Sequence, residues 1–415
     1  MRLARASTLL AVLLGLAGCA EQSGLAPSMG SGSGSPQALG AAGLPAPAGS
    51  RIAVLAPLTG AYSNVGPVLV NAVKLGLGQA AASSINVLDT GSTPQGAAAA
   101  AQKAIADGAG LIIGPLTTTE AAAVAPVTGP AHVDVLALTS DSTVARPGLW
   151  ALGITPAEQV RALVNAANAQ GHGQIAAFLP ESPLGNAMAR ALQSTGGAQQ
   201  VATYSAGSFS SMNSSLRSLS NYGSRRGPID AQIKQLRGSH TVAGRQEAAK
   251  LARQPIPPPP FNALMVAETG SGLGELASLL PYYDINPGPV LVLGPGLWAA
   301  DPAAVAHAGF RGALYAAPDP AAAGPFNSSY AQAYGGPPPS LAAIAFDAAA
   351  LARVTTEHGR IDQAALTNPS GFTGADGLLA LAPDGSVKRG LAVFQVSPDG
   401  GQIVQPAPQS FAPGS

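Results

Sequence analysis

Three hydroxyl-rich stretches follow short apolar runs. Thr117, Thr118 and Thr119 come after Leu111-Ile-Ile113, Thr139, Ser140, Asp141 and Ser142 come after Val135-Leu-Ala-Leu138, and Thr59 and Tyr62 come after Ile52-Ala-Val-Leu-Ala56. Where a chain turns from strand into helix, the first helical N–H groups are unpaired and sit at the positive end of the dipole, so neutral donors there suit a carboxylate or a phosphate. Thr118 is the first choice as donor, with Thr117, Ser140 and Asp141 beside it and Tyr62 as an aromatic lid. Any one of these loops serves equally well as a helix cap or turn. Three of them together favour a ligand.

Other chemistry is not written in the chain. Its five histidines, His132, His172, His240, His307 and His358, are not three or four residues apart and flank no acidic motif, so no metal pair is read. There is no Gly-x-Ser-x-Gly elbow, Walker loop or His-Glu-x-x-His. Gly270-Ser-Gly-Leu-Gly274 opens a helix after an apolar run, but its spacing misses the dinucleotide fingerprint and reads as close helix packing. The expectation is a protein that binds and does not catalyse, without cofactor or metal.

The elements that must carry these loops alternate. Apolar runs at 52–56, 85–88, 111–113 and 133–138 are separated by helical patterns at 65–82, 96–107 and 119–129. A second series has strands at 175–179, 200–204, 263–267 and 290–293, with helices at 157–170, 184–194 and 273–280. Continuously apolar strands between helices predict parallel sheets covered on both faces, hence an α/β chain with two doubly wound lobes. Later come a strand at 312–316, helices at 321–334 and 341–356, and a hairpin of 377–381 with 390–396 around Asp384-Gly385. Ser208 to Pro260 is a basic excursion closed by Pro257-Pro-Pro-Pro260, read as a solvated face or as a docking surface for an anionic partner or glycan.

Length and composition agree. The chain has 415 residues, 47% hydrophobic and 10% charged, enough for two or three lobes. Basic and acidic residues are equal at 21 each, so no positive field gathers nucleic acid. The single cysteine, Cys19, excludes an internal disulfide or a multi-cysteine metal site.

Arg2 and Arg5 precede the apolar run Leu9 to Leu14, the pattern of an export leader over 1–18. Leu16-Ala-Gly-Cys19 resembles the bacterial lipobox, which implies lipidation of Cys19. Ala20 in place of Asp then implies sorting to the outer membrane of a Gram-negative periplasm. The Gly/Ser/Pro/Ala-rich stretch after Cys19 reads as a flexible tether over 19–50, with a reach on the order of 30 Å.

Ile52-Ala-Val-Leu-Ala-Pro-Leu-Thr-Gly-Ala-Tyr62, Ile112-Ile-Gly-Pro-Leu-Thr-Thr118 and Val135-Leu-Ala-Leu-Thr-Ser140 resemble the Leu/Ile/Val-binding type of periplasmic protein, from about Arg51 to Val396. The resemblance implies the type I two-lobed fold with a hinge: 51–155 with 295–345 as the N-terminal lobe, 156–294 with 346–397 as the C-terminal lobe, and 398–415 as a tail. It also implies that Thr118 and Ser140 hold an amino acid's carboxylate under Tyr62. In that family a second-lobe acid meets the ammonium. Here its place falls on Gly272, and Glu268 substitutes if the register shifts. Ser140-Asp-Ser-Thr-Val-Ala-Arg-Pro-Gly148, Pro281-Tyr-Tyr-Asp284, Leu293-Gly-Pro-Gly-Leu-Trp298, Ala316-Ala-Pro-Asp-Pro320 and Ala345-Phe-Asp347 are similar to lipoproteins grouped as penicillin-binding protein activators. That likeness implies a membrane-anchored partner of a peptidoglycan synthase. The other reading is a receptor that feeds small polar solutes such as amino acids to an ABC permease.

Overall fold

The structure is a computed structural model that describes residues 37–38, 51–78, 85–355 and 363–411. The leader 1–18, Cys19, nearly all of the 19–50 tether and His358 lie outside the described residues. Two tether residues are placed: Gln37–Ala38 (β1) pair parallel to Phe372–Thr373. Composition gave no sign of this, because an open sheet edge accepts backbone irrespective of side chain.

Five parallel strands build the first sheet: Ile52–Ala56 (β2), Asn86–Asp89 (β3), Leu111–Ile113 (β4), Asp134–Ala137 (β5) and Leu149–Ala151 (β6), in the order β3-β2-β4-β5-β6. Side chains alternate across it. Ile52, Val54 and Ala56 enter one buried cluster with the helices Gly66–Leu77 and Ala342–Thr355, while Ala53 and Leu55 enter another with Pro94–Ala106 and Thr118–Thr128. Burial on both faces is why the strands carry no polar alternation. The alanines of Ala342–Thr355 let it lie close to Gly66–Leu77, where a Cβ on Gly76 would sit 2.5 Å from the Phe346 carbonyl.

The second sheet has seven strands: Ile175–Pro180 (β7), Ala198–Tyr204 (β8), Ala263–Val266 (β9), Leu291–Gly294 (β10), Leu314–Ala317 (β11), Ala392–Ser397 (β15) and Gly400–Gln405 (β16), ordered β16-β15-β11-β10-β9-β7-β8. β7 to β11 run parallel, and β15 and β16 are antiparallel. A small sheet of β1, Phe372–Gly374 (β12), Gly377–Leu381 (β13) and Val387–Arg389 (β14) shares the first lobe's core through Phe372, Leu379, Leu381 and Val387. Both lobes belong to one unit, Ser35–Ser415.

Four expectations change. Two segments after Pro295 exchange lobes: β11 hydrogen-bonds to β10 in the second sheet, and Ala342–Thr355 packs on the first lobe, whereas Phe326 and Tyr330 of Gly324–Tyr334 enter the first lobe's core as expected. Apolar strands and Ala-rich helices suit either lobe, so periodicity could not assign them. The hairpin partner of β13 is β14, and the stretch from Ala392 crosses to the second sheet. The supposed tail supplies β16, antiparallel to β15. Lastly, the helices expected at 96–107, 157–170 and 184–194 begin one or two residues earlier, because Thr93, Thr155 and Ser182 cap them and Pro94, Pro156 and Pro183 fill their first turns.

The excursion forms three helices, Phe209–Leu219, Tyr222–Gly238 and Val242–Leu251. One of its eight basic residues is not on the surface. Arg225 is buried, donating to the carbonyls of Pro257 (2.7 Å), Ser220 (3.2 Å) and Tyr283 (3.1 Å). It ties the proline run to the second lobe.

Candidate functional site

In open parallel sheets ligands meet the loops at the carboxyl ends of strands. β4 ends into the helix Thr118–Thr128. Thr117 caps it in a reciprocal box: the Thr117 N–H and hydroxyl donate to the Glu120 carboxylate at 3.0 and 2.8 Å, and the Glu120 N–H donates back to the hydroxyl at 3.3 Å. Thr117 is thus spent on the helix. Thr117-x-x-Glu120 is a legible capping-box signature, so the sequence held this information. Glu120 is fully buried, and its Oε1 has no hydrogen-bond partner among the described residues.

Thr118 stands differently. Its hydroxyl lies 3.0 Å from that of Thr139 at the end of β5, so two strand-end loops meet through one hydrogen bond. Thr139, which was not singled out, is buried and also accepts from the Asp141 N–H at 3.2 Å. Ser140 is exposed and its hydroxyl makes no bond among the described residues. Asp141 turns its carboxylate onto the Thr143 N–H (3.0 Å) and hydroxyl (2.7 Å), capping a single 3-10 turn. Behind this loop a Cβ on Gly153 would fall 2.6 Å from the Ser140 nitrogen, so the segment leaving the first lobe presses on the same loop.

The loop after β2 is pinned by a residue that sequence reasoning passed over. Asp89, at the end of β3, accepts from the amides of Leu58 (2.9 Å) and Thr59 (3.1 Å) and from the Thr59 hydroxyl (2.6 Å). Desolvation is the largest single influence and pushes its carboxyl up, but the Thr59 hydroxyl and the amides of Gly91, Thr59 and Leu58 together outweigh it and hold it below the usual range. Tyr62 follows, 45% exposed, with its backbone N–H on the Ser92 hydroxyl at 3.0 Å.

In the second lobe Glu268 follows β9 by two residues. Tyr204, at the end of β8, donates its hydroxyl to Glu268 Oε2 at 2.5 Å, and the Thr269 N–H reaches Oε1 at 3.3 Å. Burial first, then the bond to Glu268, raises the Tyr204 phenol above its ordinary value, so it remains a donor. Gly272 lies directly beneath the carboxylate: a Cβ there would sit 2.4 Å from Glu268 Oε1. The glycine that replaces an expected acid is therefore the space Glu268 occupies. Trp298 fixes the same end, donating Nε1–H to the Glu268 carbonyl at 3.0 Å with its ring against Gly294. Glu268→Ala is expected to cost about 1–3 kcal/mol in urea unfolding, because the buried Tyr204 hydroxyl loses its acceptor, whereas Glu268→Gln retains most of that stability.

Residues 50–402 match the sequence profile of the family described as Periplasmic binding protein. The chain belongs to that family. Its fold recurs in a putative branched-chain amino acid ABC transporter protein from Rhodospirillum rubrum, at 17% identity and TM-score 0.62, covering 86% of this chain and 100% of that one. It recurs in the leucine binding protein LivK from Thermotoga maritima, at 18% identity and TM-score 0.50, covering 85% and 97%. It recurs also in full-length LpoA from Haemophilus influenzae, at 18% identity and TM-score 0.56, covering 88% of this chain and 60% of LpoA. No curated protein matches the sequence. In the periplasmic binding protein architecture the strand-end loops of both lobes border the groove between them. Thr118, Thr139 and Ser140 stand at such ends in one lobe, and Glu268 and Tyr204 in the other.

Proposed function

We propose that this periplasmic binding protein is a lipid-anchored, non-enzymatic regulator of a peptidoglycan synthase, held at the outer membrane through Cys19. The observation that carries this reading is the commitment of Glu268. The acid nearest the expected ammonium position is bonded to a buried tyrosine and covers Gly272. Thr117 and Asp141 are likewise committed to caps, so an incoming amino acid would displace internal bonds on both sides of the groove.

The surface offered to a partner is the helical excursion. Its acids, Asp230 and Glu247, pair with Arg226 and Lys250, while Lys234, Arg237, Arg245 and Arg253 are exposed and make no ion pair among the described residues. Such a field suits an acidic protein surface. A second reading, a solute receptor for an ABC permease, draws on the unengaged Ser140 hydroxyl beside the Thr118–Thr139 pair.

Calorimetry and pull-down on the full chain separate the two. Regulation predicts no saturable binding of amino acids, and capture of a class A synthase weakened roughly tenfold or more by Arg237→Glu with Arg245→Glu. Micromolar binding of an amino acid, abolished by Thr118→Ala and Ser140→Ala, overturns it in favour of the receptor.

A further inference from the structure

The first lobe has a concavity at the end of its sheet opposite to the strand-end loops. Asp134 is the first residue of β5 and Leu149 the first of β6, so this recess lies where strands begin, a sheet's length from Thr118 and Thr139. It encloses about 400 Å³, within the usual size of small-molecule pockets, and Thr128, His132, Asp134, Arg146 and Gln363 contribute to its lining around Leu149.

Its charges are arranged for a guest. Asp134 is half-buried, yet among the described residues it forms no ion pair; its carboxylate accepts only the Gln363 side-chain amide, at 3.3 Å. Burial pushes this carboxyl up to about 6 against that bond, the mark of an acid lacking a cation. A cation is present on the same lining but held elsewhere. Arg146 donates Nε–H to the Val144 carbonyl at 3.0 Å, its backbone is bridged to Leu149, and a Cβ on Gly385 would fall 2.3 Å from its carbonyl oxygen. The guanidinium is thus held by its own loop and forms no ion pair with Asp134, and the exposed His132 lines the same recess. The recess is thus lined by a half-buried acid and an exposed arginine, neither of which forms an ion pair among the described residues.

We infer that this recess binds a small zwitterion, its ammonium on Asp134 and its carboxylate on Arg146 and His132, at a site separate from the strand-end loops. The inference rests on neither reading of the protein's role. Both charges of such a molecule are neutralised at once, whereas a simple amine leaves Arg146 unanswered and a simple acid meets Asp134 as a like charge.

Titration calorimetry of the full chain with glycylglycine, propylamine and propionate tests it. Glycylglycine is expected to bind saturably, propylamine more weakly and propionate not at all. Asp134→Asn and Arg146→Gln should each weaken glycylglycine roughly tenfold or more, the loss of one charge-assisted contact. Asp134→Asn removes a desolvated charge, so its thermal midpoint should equal or exceed that of the parent and the variant stays interpretable. No saturable binding of any probe at about 10 mM, or undiminished binding by Asp134→Asn or by Arg146→Gln, overturns the proposal.

Discussion

Arg389→Met is expected to lower the unfolding free energy by about 3–5 kcal/mol at neutral pH, the cost of breaking a buried ion pair from one side. Arg389 ends β14, just before the chain crosses to β15 in the second lobe. Its Nε and Nη2 donate to the Leu152 carbonyl at 3.0 and 2.5 Å, so one interlobe crossing is clamped to another. Its Nη1 lies 3.9 Å from Asp347, which is fully buried and accepts from the amides of Ala375 (2.6 Å) and Asp376 (3.2 Å). Without the guanidinium, two buried carboxyls keep their desolvation and lose the cation that opposes it.

The same cluster sets a pH dependence. Burial first, then the nearby Asp376, pushes Asp347 up to about 7 against Arg389 and the two amides, and burial raises Asp376 as well. The folded state therefore retains protons that the unfolded chain releases near pH 4. Stability from these groups is full below that point and declines as pH rises towards about 7. Urea unfolding across this range should show the decline in the parent, and a decline extending to higher pH in Arg389→Met. A loss under about 1 kcal/mol, the size of an exposed pair, would show that the cluster is not desolvated as described.

Trp150→Ala should cost a similar amount, about 3–5 kcal/mol, as a fully buried aromatic emptied from a core. Trp150 in β6 is 0% exposed and packs among the apolar side chains of the first sheet and of β13. Its Nε1–H donates to the Ala382 carbonyl at 2.7 Å, beyond the end of β13, so the ring joins the small sheet to the lobe. Trp150→Phe keeps most of the volume and loses the hydrogen bond, and should cost about 1 kcal/mol by the same measurement. Comparable losses for both variants would locate the ring's contribution in that bond instead of in packing.

The alternation of apolar runs and helical patterns was enough for the fold class, because a strand buried on both faces has to be apolar throughout and the crossing helices have to lie between such strands. Much of the local chemistry was legible too: Thr117 with Glu120 is a capping box in the sequence, and Pro156 and Pro183 mark helix starts. Partnership across the chain was not legible. Nothing near Glu268 in sequence points to Tyr204, sixty-four positions away, and nothing near Arg225 points to Pro257.

By itself the sequence determined two parallel-sheet lobes and placed hydroxyl-rich loops after the strands, since both follow from local hydrophobic period and turn chemistry. Tertiary structure decided which lobe each late segment joins, because an apolar strand or an alanine-rich helix fits either core. It also decided which polar groups are free. Thr117 and Asp141 are consumed by their own turns, Thr118 is shared with Thr139, Glu268 is held by Tyr204, and Ser140 is left open. A side chain's availability depends on what folding brings within about 3 Å of it, and no spacing along the chain encodes that distance.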